Sequence, residues 1–289
     1  EKKHHVCVAK GDGIGPEITK SVTTILDAAG ADINWIRCTA GLAAQEELGN
    51  PLPDETIDAI NKHRLALKGP LTTPVGAGFR SVNVAMRKKF ELYSNIRPAK
   101  TIPHIESRFD NVDLVMFREN TEGLYIGKEQ WVKEDSHAES IAVVTRDASE
   151  KVIRSAFEYA KKKGRKKVTL VNKANILKFT CGLFMEVGEE IAKDYPDIEY
   201  EDLIVDNMAM QMVLRHEQFD VIVTTNLFGD ILSDLASGLV GGLGLTGAAN
   251  IGDDAAMFEA VHGSAPDIAG QNKANPIAFL LSALMLLEH

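Results

Sequence analysis

The segment FDVIVTTNLFGDILSD, residues 219–234, holds the strand-to-helix junction that decides the fold of this chain. Its first half is apolar and rich in β-branched residues, which is typical of a buried strand. Its second half places Asp230 and Asp234 four residues apart in an apolar helical pattern, so both carboxylates share one helix face. Open α/β sheets bind ligands at the carboxyl ends of their strands, where this junction lies. Two unpartnered like charges repel each other, and a divalent cation would relieve that repulsion.

Strand and helix patterns alternate along the rest of the chain, which favours an α/β fold throughout. HHVCVAK at residues 4–10 predicts a strand, and PDETIDAINKH at residues 53–63 predicts a helix with Asp54 as its cap. An amphipathic helix is predicted to end at Gly164. Polar and aromatic residues alternate in 123–145, which predicts strands of a separate antiparallel element.

Composition excludes several classes of protein. The 289 residues are 45% hydrophobic and 25% charged, which is typical of one large domain or two linked ones. A net charge of −9 does not favour a nucleic-acid partner, although local basic clusters still allow an anionic small substrate. No apolar run is long enough to span a membrane, so no membrane partner is expected. The C-terminus stops inside an apolar helical pattern, and we expect the native chain to continue beyond His289.

The three cysteines are few and widely spaced. They form neither a CxxC pair nor a zinc-binding spacing. We therefore expect a reducing compartment, either the cytoplasm or the mitochondrial matrix.

Candidate carboxylate-binding residues cluster between Leu71 and Pro98. They are Arg80, Ser81, Asn83, Arg87 and Arg97. Arginine presents a planar fork that matches a carboxylate, and Ser and Asn add neutral hydrogen bonds. The alternative interpretation is that the basic residues of this segment lie on a solvent-exposed helix face and bind nothing. Because Arg97 precedes Pro98, we expect it near the end of a strand.

Two further segments carry candidate catalytic side chains. FRENTEGLY, residues 117–125, brings Arg118 after an apolar strand and Tyr125 seven residues later. Tyr125 is either an acid catalyst whose pKa is lowered by nearby cations or a tyrosine packed in a turn. Lys173 follows the strand of VNKAN, and is either a charge at the rim or a base with a depressed pKa.

Three aspartates suggest a metal site. Asp206 follows an apolar strand, as Asp230 does. With Asp234 they offer carboxylate oxygens, and no His or Cys lies near them in sequence. Magnesium or manganese fits such a set better than zinc.

Two glycine-containing segments are candidates for a cofactor site. GDGIGPE, residues 11–17, does not fit the G-x-G-x-x-G fingerprint, and a tight turn is as good an interpretation as a cofactor loop. HGSAPDIAGQNKANP, residues 262–276, predicts a long functional loop. Asp267 in this loop suits hydrogen bonding to a ribose diol and would repel a 2′-phosphate, which favours NAD over NADP.

Six of these segments occur in the order found in one family. GDGIGPE, LYSNIRP, FRENTEGLY, NKAN, NLFGDILSD and HGSAPDIAG resemble the β-decarboxylating dehydrogenases of isocitrate and isopropylmalate, and the resemblance runs from Val6 to the last residue. TTPVGAGFRSVNVAMR, residues 72–87, is similar to the isocitrate branch. The resemblance implies an isocitrate/isopropylmalate dehydrogenase-like α/β fold that is not a standard Rossmann fold. It has a large domain (1–92 and 241–289), a small domain (93–122 and 146–240) and a clasp (123–145).

The resemblance also implies roles for individual residues. The residues that match substrate-binding positions are Thr73, Ser81, Asn83, Arg87, Arg97 and Arg118. Tyr125 matches the acid that protonates the enolate, and Lys173 matches a lysine from the partner subunit that assists removal of the hydroxyl proton. The metal ligands are Asp230 and Asp234, with Asp206 from the other subunit. The cofactor loop supplies His262, Gly263, Ala265, Asp267, Ile268 and Asn275.

The implied activity is the oxidative decarboxylation of isocitrate to 2-oxoglutarate and CO₂, with reduction of NAD and dependence on Mg²⁺ or Mn²⁺. NADP-dependent relatives commonly have Lys and Tyr at Asp267 and Ile268, which again favours NAD. We expect a homodimer or larger homo-oligomer with shared active sites. The alternatives are a homoisocitrate, isopropylmalate or tartrate enzyme of the same family, a regulatory subunit of a hetero-oligomer, and a metal-free binding protein.

Overall fold

The computed structural model describes residues 4–76 and 80–289 and shows a mixed α/β fold. The strands are β1 His4–Ala9, β2 Ile33–Cys38, β3 Leu65–Lys68, β4 Ser94–Lys100, β5 Asp113–Glu119, β6 Glu129–Lys133, β7 His137–Ser140, β8 Lys167–Asn172, β9 Glu199–Ile204, β10 Val221–Thr224, β11 Gly247–Ile251 and β12 Ala256–Ala260. The helices are α1 Gly15–Ala28, α2 Leu42–Leu48, α3 Asp54–His63, α4 Val82–Lys89, α5 Arg146–Lys163, α6 Thr180–Ala192, α7 Val205–Leu214, α8 Asn226–Leu239 and α9 Ile277–Glu288.

The chain folds into two compact units. The first unit comprises Glu1–Leu92 and Gly242–His289, and the second comprises Tyr93–Gly241. Residues 77–79, part of the segment that resembles the isocitrate branch, lie outside the described residues. The segment 123–145 belongs to the second unit, and its role as a clasp stays a prediction.

In the first unit the strands follow the order β2, β1, β3, β12, β11. Neighbouring strands are parallel except β11 and β12, which form an antiparallel pair. Cys7, Ile60, Met86 and Phe90 contribute to a core that packs α3 and α4 against β1. This arrangement brings the ends of β3 and β12 side by side.

In the second unit the strands follow the order β4, β5, β10, β8, β9, and only β4 is antiparallel to its neighbour. Successive side chains of β10 point to opposite faces. Val221 and Val223 pack with α5 and α6, whereas Ile222 packs with α7 and α8. Helices therefore cover both faces, which explains the continuous apolar run in β10.

Most sequence-predicted elements are present, and the structure differs from the sequence prediction in three respects. Asp54 is the first residue of α3, and the N-cap position belongs to Pro53, so the predicted cap is wrong. Arg97 lies in the middle of β4 and not near a strand end, because Pro98 is accommodated within the antiparallel ladder with β5. Helix α2 and the β11–β12 pair were not predicted.

Other boundaries agree with the sequence. Gly164 ends α5 in a left-handed conformation, with φ of 67°. Strands β6 and β7 form a separate antiparallel pair within 123–145. Within the described residues, no helix combines the length and the apolar character needed to cross a membrane.

Candidate active site

Helix α8 presents two aspartates to two arginines of the second unit. Arg97 Nη2 lies 3.1 Å from Asp234 Oδ1, and Arg118 Nη1 lies 3.2 Å from Asp230 Oδ1. The arginine side chains are 3% exposed, whereas those of Asp230 and Asp234 are 44% and 55% exposed. Each of the two carboxylates therefore faces a guanidinium, which offsets the repulsion between them.

The strand register explains why both arginines reach the same helix. Asn95 of β4 pairs with Arg118 of β5, and Arg97 lies two residues beyond Asn95. Side chains two residues apart in a strand share a face, as do directly paired residues, so Arg97 and Arg118 share one face. Met116, which pairs with Arg97, packs with Leu232 of α8 on that face.

Tyr125 is joined to this group through Asp230. Its hydroxyl donates to Asp230 Oδ2 at 2.5 Å, and the Arg118 guanidinium lies 5.1 Å from the centre of its ring. A cation over the ring stabilises this arrangement and places positive charge beside the phenol. The geometry therefore brings Arg118, Tyr125 and Asp230 together.

Two buried carboxylates hold the loop that carries Tyr125. Glu119 accepts hydrogen bonds from the Thr121 backbone and hydroxyl and from the Glu122 backbone. Glu122 accepts from the backbone and hydroxyl of Thr145, the N-cap of α5. Burial raises the pKa of both carboxyls, and these hydrogen bonds oppose the rise. The loop between β5 and α5 is thus fixed at two points.

Sequence reasoning missed two residues that position Arg118. Asn226 Oδ1 accepts from Arg118 Nε at 2.9 Å, and Asn226 Nδ2 donates to the Glu122 carbonyl at 2.8 Å. A Cβ on Gly229 would lie 2.4 Å from Arg118 Cγ, so only glycine allows this approach. A glycine inside a helix costs stability, and this cost is the signal that could have identified Gly229.

Lys173 and Asp206 form a second pair in this unit, with Nζ and Oδ1 2.8 Å apart. A hydrogen bond from Lys173 is the main reason why the pKa of Asp206 is lowered. Within 4–76 and 80–289, no group of three or more His, Cys, Asp and Glu side chains is placed to hold a metal. One chain therefore does not bring Asp206 together with Asp230 and Asp234.

The donor chemistry of these aspartates nevertheless fits a hard cation. Asp230 and Asp234 lie one turn apart and are both solvent-accessible. Carboxylate oxygens are the ligands that magnesium and manganese prefer. Two ligands from α8 leave the remaining positions to a substrate, to water or to another chain.

In the first unit, four predicted residues lie on α4 or on the segment that leads from β3 to it. Thr73 Oγ1 accepts from the Val82 backbone, and Ser81 Oγ accepts from the Val84 backbone as the N-cap of α4. Asn83 Oδ1 accepts from the buried Lys68. Arg87 lies farther along the same helix, so α4 carries two of the candidates and is capped by a third.

A buried ion pair supports Asn83 and Arg87. Lys68 Nζ lies 2.5 Å from Glu259 Oε2, and Arg87 Nη2 lies 3.5 Å from Glu259 Oε1. Burial alone would raise the pKa of Glu259, but attraction by Lys68 and Arg87 holds it well below its ordinary range. Burial lowers the pKa of Lys68, and Glu259 opposes this. Neither partner of this pair was singled out from the sequence.

The predicted cofactor loop joins β12 to α9 and contains a short 3-10 helix, Pro266–Ile268. That helix contains Asp267 and Ile268. Ala265 has φ of 39°, an uncommon value for a residue other than glycine. Asn275 Oδ1 accepts from the Ile277 backbone at the start of α9.

A small cavity of about 150 Å³ connects these features within the first unit. Its lining includes Asn83, Arg87, Glu259, His262 and Gly263. Candidate substrate-binding and cofactor-binding residues thus share one polar cavity, with both a guanidinium and a carboxylate in its wall. Such a cavity suits an anionic ligand that carries hydrogen-bonding groups.

Comparisons with known proteins place almost the whole chain in one family. A family model described as isocitrate/isopropylmalate dehydrogenase matches residues 5–289. The solved isocitrate dehydrogenase from Methylococcus capsulatus is 58% identical, with a TM-score of 0.95, covering 99% of this chain and 86% of that one.

Two curated relatives carry different names. A mitochondrial regulatory subunit of isocitrate dehydrogenase (NAD) from Dictyostelium discoideum is 49% identical over 290 residues, covering 100% of this chain and 80% of that protein. The chloroplastic 3-isopropylmalate dehydrogenase of Solanum tuberosum is 46% identical over 280 residues, covering 96% and 78% respectively. The match over nearly the whole chain shows that this protein belongs to the isocitrate/isopropylmalate dehydrogenase family.

Proposed function

We propose that this chain is a catalytic NAD-dependent isocitrate dehydrogenase, which converts isocitrate to 2-oxoglutarate and CO₂. One observation carries the proposal: Asp230 contacts both Arg118 and Tyr125, while Asp234 of the same helix face contacts Arg97. Two carboxylate-binding groups, two metal ligands and one acid are thereby assembled around α8. The 58% identity to the Methylococcus capsulatus isocitrate dehydrogenase supports this choice of reaction.

The arginines bind and orient the substrate. Arg97 and Arg118 are buried and directed at the exposed face of α8, so their guanidinium groups are preorganised for substrate carboxylates. Arg87, Ser81 and Asn83 take a further carboxylate, which isocitrate has and isopropylmalate lacks. The amide of Asn83 is oriented for this, because its oxygen accepts from Lys68 and its NH₂ group remains a donor.

A divalent cation fits the exposed carboxylates of α8. Asp230 and Asp234 would hold Mg²⁺ or Mn²⁺ together with Asp206 from a second copy of the chain. When bound, the cation supplies Lewis-acid chemistry that withdraws electrons from the carbonyl.

Proton transfers are assigned to Lys173 and Tyr125. Lys173, from the second copy, assists removal of the C2 hydroxyl proton as hydride leaves for NAD⁺. Tyr125 delivers a proton to the carbon that has lost CO₂. The hydrogen bond to Asp230 keeps the phenol in place before this transfer.

We further propose a homo-oligomer with shared sites. Lys173 and Asp206 pair with each other, away from the Asp230 group, which supports their use in a second copy's site. Large apolar side chains are exposed around these elements, including Phe179 at 91% and Leu214 at 66%. Exposed apolar surface of this kind is typical of a protein interface.

We place the enzyme in a reducing compartment, the mitochondrial matrix or the cytoplasm. All three cysteines are free and buried, which suits such a compartment. Several relatives carry mitochondrial names, including that from Dictyostelium discoideum.

A substrate panel tests the proposed activity. We expect the purified oligomer to reduce NAD⁺ with isocitrate at least about tenfold faster than with homoisocitrate, isopropylmalate or tartrate. A preference for isopropylmalate would reassign the substrate. Inactivity with all four, restored only by adding a catalytic relative, would make the chain a regulatory subunit.

A further inference from the structure

The motif GDGIGPE has no role in the proposed reaction, yet it is hydrogen-bonded to several other segments of the first unit. Asp12 is 7% exposed and accepts three backbone hydrogen bonds, from Leu42, Ala43 and Thr72. It thereby joins the start of α2 to the segment that carries Thr73. All of these residues belong to the first unit.

The glycines of the motif let the backbone approach its neighbours. Gly11 and Gly13 have φ of 79° and 57°, which favours glycine. A Cβ on Gly11 would lie 2.3 Å from the Pro70 carbonyl, and one on Gly13 would lie 2.0 Å from the Ser264 carbonyl. The motif therefore packs its own backbone closely against Pro70 and, at Ser264, against the cofactor loop.

The loop is held to this motif at two places. The Ile14 amide donates to the Ser264 carbonyl at 2.8 Å, and Glu17 Oε1 accepts from the Gly270 amide at 2.9 Å. Residues 264 and 270 lie on either side of the 3-10 helix that contains Asp267 and Ile268. The part of the loop assigned to the ribose is thus anchored at both ends.

We propose that Glu17 is a positioning residue for the cofactor, and this rests on the proposed function of the loop. Glu17 lies in the first turn of α1 and acts through the backbone of Gly270. Ala265 adopts a strained conformation, which persists only when its surroundings fix it. A loop already fixed in its binding shape loses less conformational entropy when a ligand binds. Glu17 therefore strengthens NAD binding and has no part in the chemical step.

Three variants test the proposal: Glu17→Ala, Glu17→Gln, and Glu47→Ala on α2 as a matched control. Gln retains an oxygen that accepts from Gly270, whereas Ala does not. We expect Glu17→Ala to raise KM for NAD about tenfold with kcat nearly unchanged. We also expect faster hydrogen exchange of the amides at 264–271 in the ligand-free protein. Glu17→Gln should recover most of both effects, and Glu47→Ala should resemble the wild type.

Unchanged KM for NAD in Glu17→Ala, with or without faster exchange, overturns the positioning role. A kcat loss that exceeds the change in KM also overturns it. If the wild type does not reduce NAD with any of the tested substrates, the proposed function fails. NADH binding measured by fluorescence then decides the role of Glu17. Weaker NADH binding by Glu17→Ala than by the wild type would support the positioning role. Equal binding by the two proteins would refute that role, as would a wild type that does not bind NADH.

Discussion

The Tyr125 hydroxyl donates a hydrogen bond to Asp230 Oδ2 at 2.5 Å, while the other oxygen of that carboxylate accepts from Arg118. One side chain on α8 therefore fixes both the proposed acid and a proposed substrate arginine. In the proposed mechanism, a change at Asp230 therefore affects metal binding, proton delivery and carboxylate recognition together. Substitutions at Tyr125 and around Arg118 are needed to separate these roles.

Tyr125→Phe should remove proton delivery and leave binding intact. We expect kcat for isocitrate to fall by about 100- to 10,000-fold, the range typical of general acid–base catalysis. KM should stay within about threefold, because the arginines and aspartates are unchanged. Steady-state kinetics measure both constants. Tyr159→Phe, in α5 of the same unit, serves as the control, and a kcat for Tyr125→Phe equal to that control would remove the acid role.

Gly229→Ala should damage activity through Arg118. The new Cβ would meet Arg118 Cγ at 2.4 Å and displace the guanidinium from Asn226. We expect a rise of at least about tenfold in KM for isocitrate. Gly238→Ala is the matched control, because nothing lies within 4 Å of a Cβ at that position of α8. It should keep full activity and stabilise the protein by about 0.5–1 kcal/mol. Equal kinetics for the two variants would contradict the account.

Asp234→Asn should abolish metal-dependent turnover, since it removes one proposed ligand. Mn²⁺ binding, followed by electron paramagnetic resonance, should weaken in parallel with activity. Asp254→Asn, at an exposed position in the first unit, provides the control. Near-normal activity of Asp234→Asn would refute the metal assignment.

Glu259→Gln should destabilise the first unit by about 3–5 kcal/mol, because it leaves Lys68 buried without its carboxylate partner. Urea unfolding measures this difference. Glu259 has a depressed pKa in the folded protein, so its contribution is fully present above the unfolded pKa of about 4.3. The contribution should shrink as the pH falls below that value toward the folded pKa.

The double variant Lys68→Met with Glu259→Leu tests the cause of that loss. Replacing a buried ion pair by apolar groups is often neutral, so the double variant should be more stable than Glu259→Gln alone. A free-energy change below about 1 kcal/mol for Glu259→Gln would show that the pair is not buried as described.

Asp267→Lys combined with Ile268→Tyr should shift cofactor preference toward NADP. Removal of a negative charge and addition of a positive one both favour a 2′-phosphate. The ratio of kcat/KM for the two cofactors measures the shift. An unchanged ratio would exclude these residues from cofactor selection.

Local pattern predicted much of the fold. The β-branched run before Asn226 and the amphipathic helix ending at Gly164 identify elements that the structure confirms. Strands β11 and β12 were not predicted because their sequences, GAANI and AMFEA, are rich in small residues with weak strand propensity. These strands are held by their neighbours in the sheet and not by their own sequence preference.

For the candidate site, the sequence indicated residue types but not the contacts between them. The sequence around Asp230 does not indicate that its partner is Arg118, which lies 112 positions away. Arg97 was misplaced because proline usually marks a strand end, whereas here β4 continues through Pro98. Asn226, Gly229, Lys68 and Glu259 act through partners that only the folded chain reveals.

The most direct test of the central claim is the initial rate of NAD⁺ and NADP⁺ reduction by the purified protein with isocitrate and Mg²⁺, with and without a chelator. The account predicts NAD⁺ reduction that the chelator abolishes and added Mg²⁺ or Mn²⁺ restores. Reduction that persists in chelator, or no reduction of either cofactor, would contradict it.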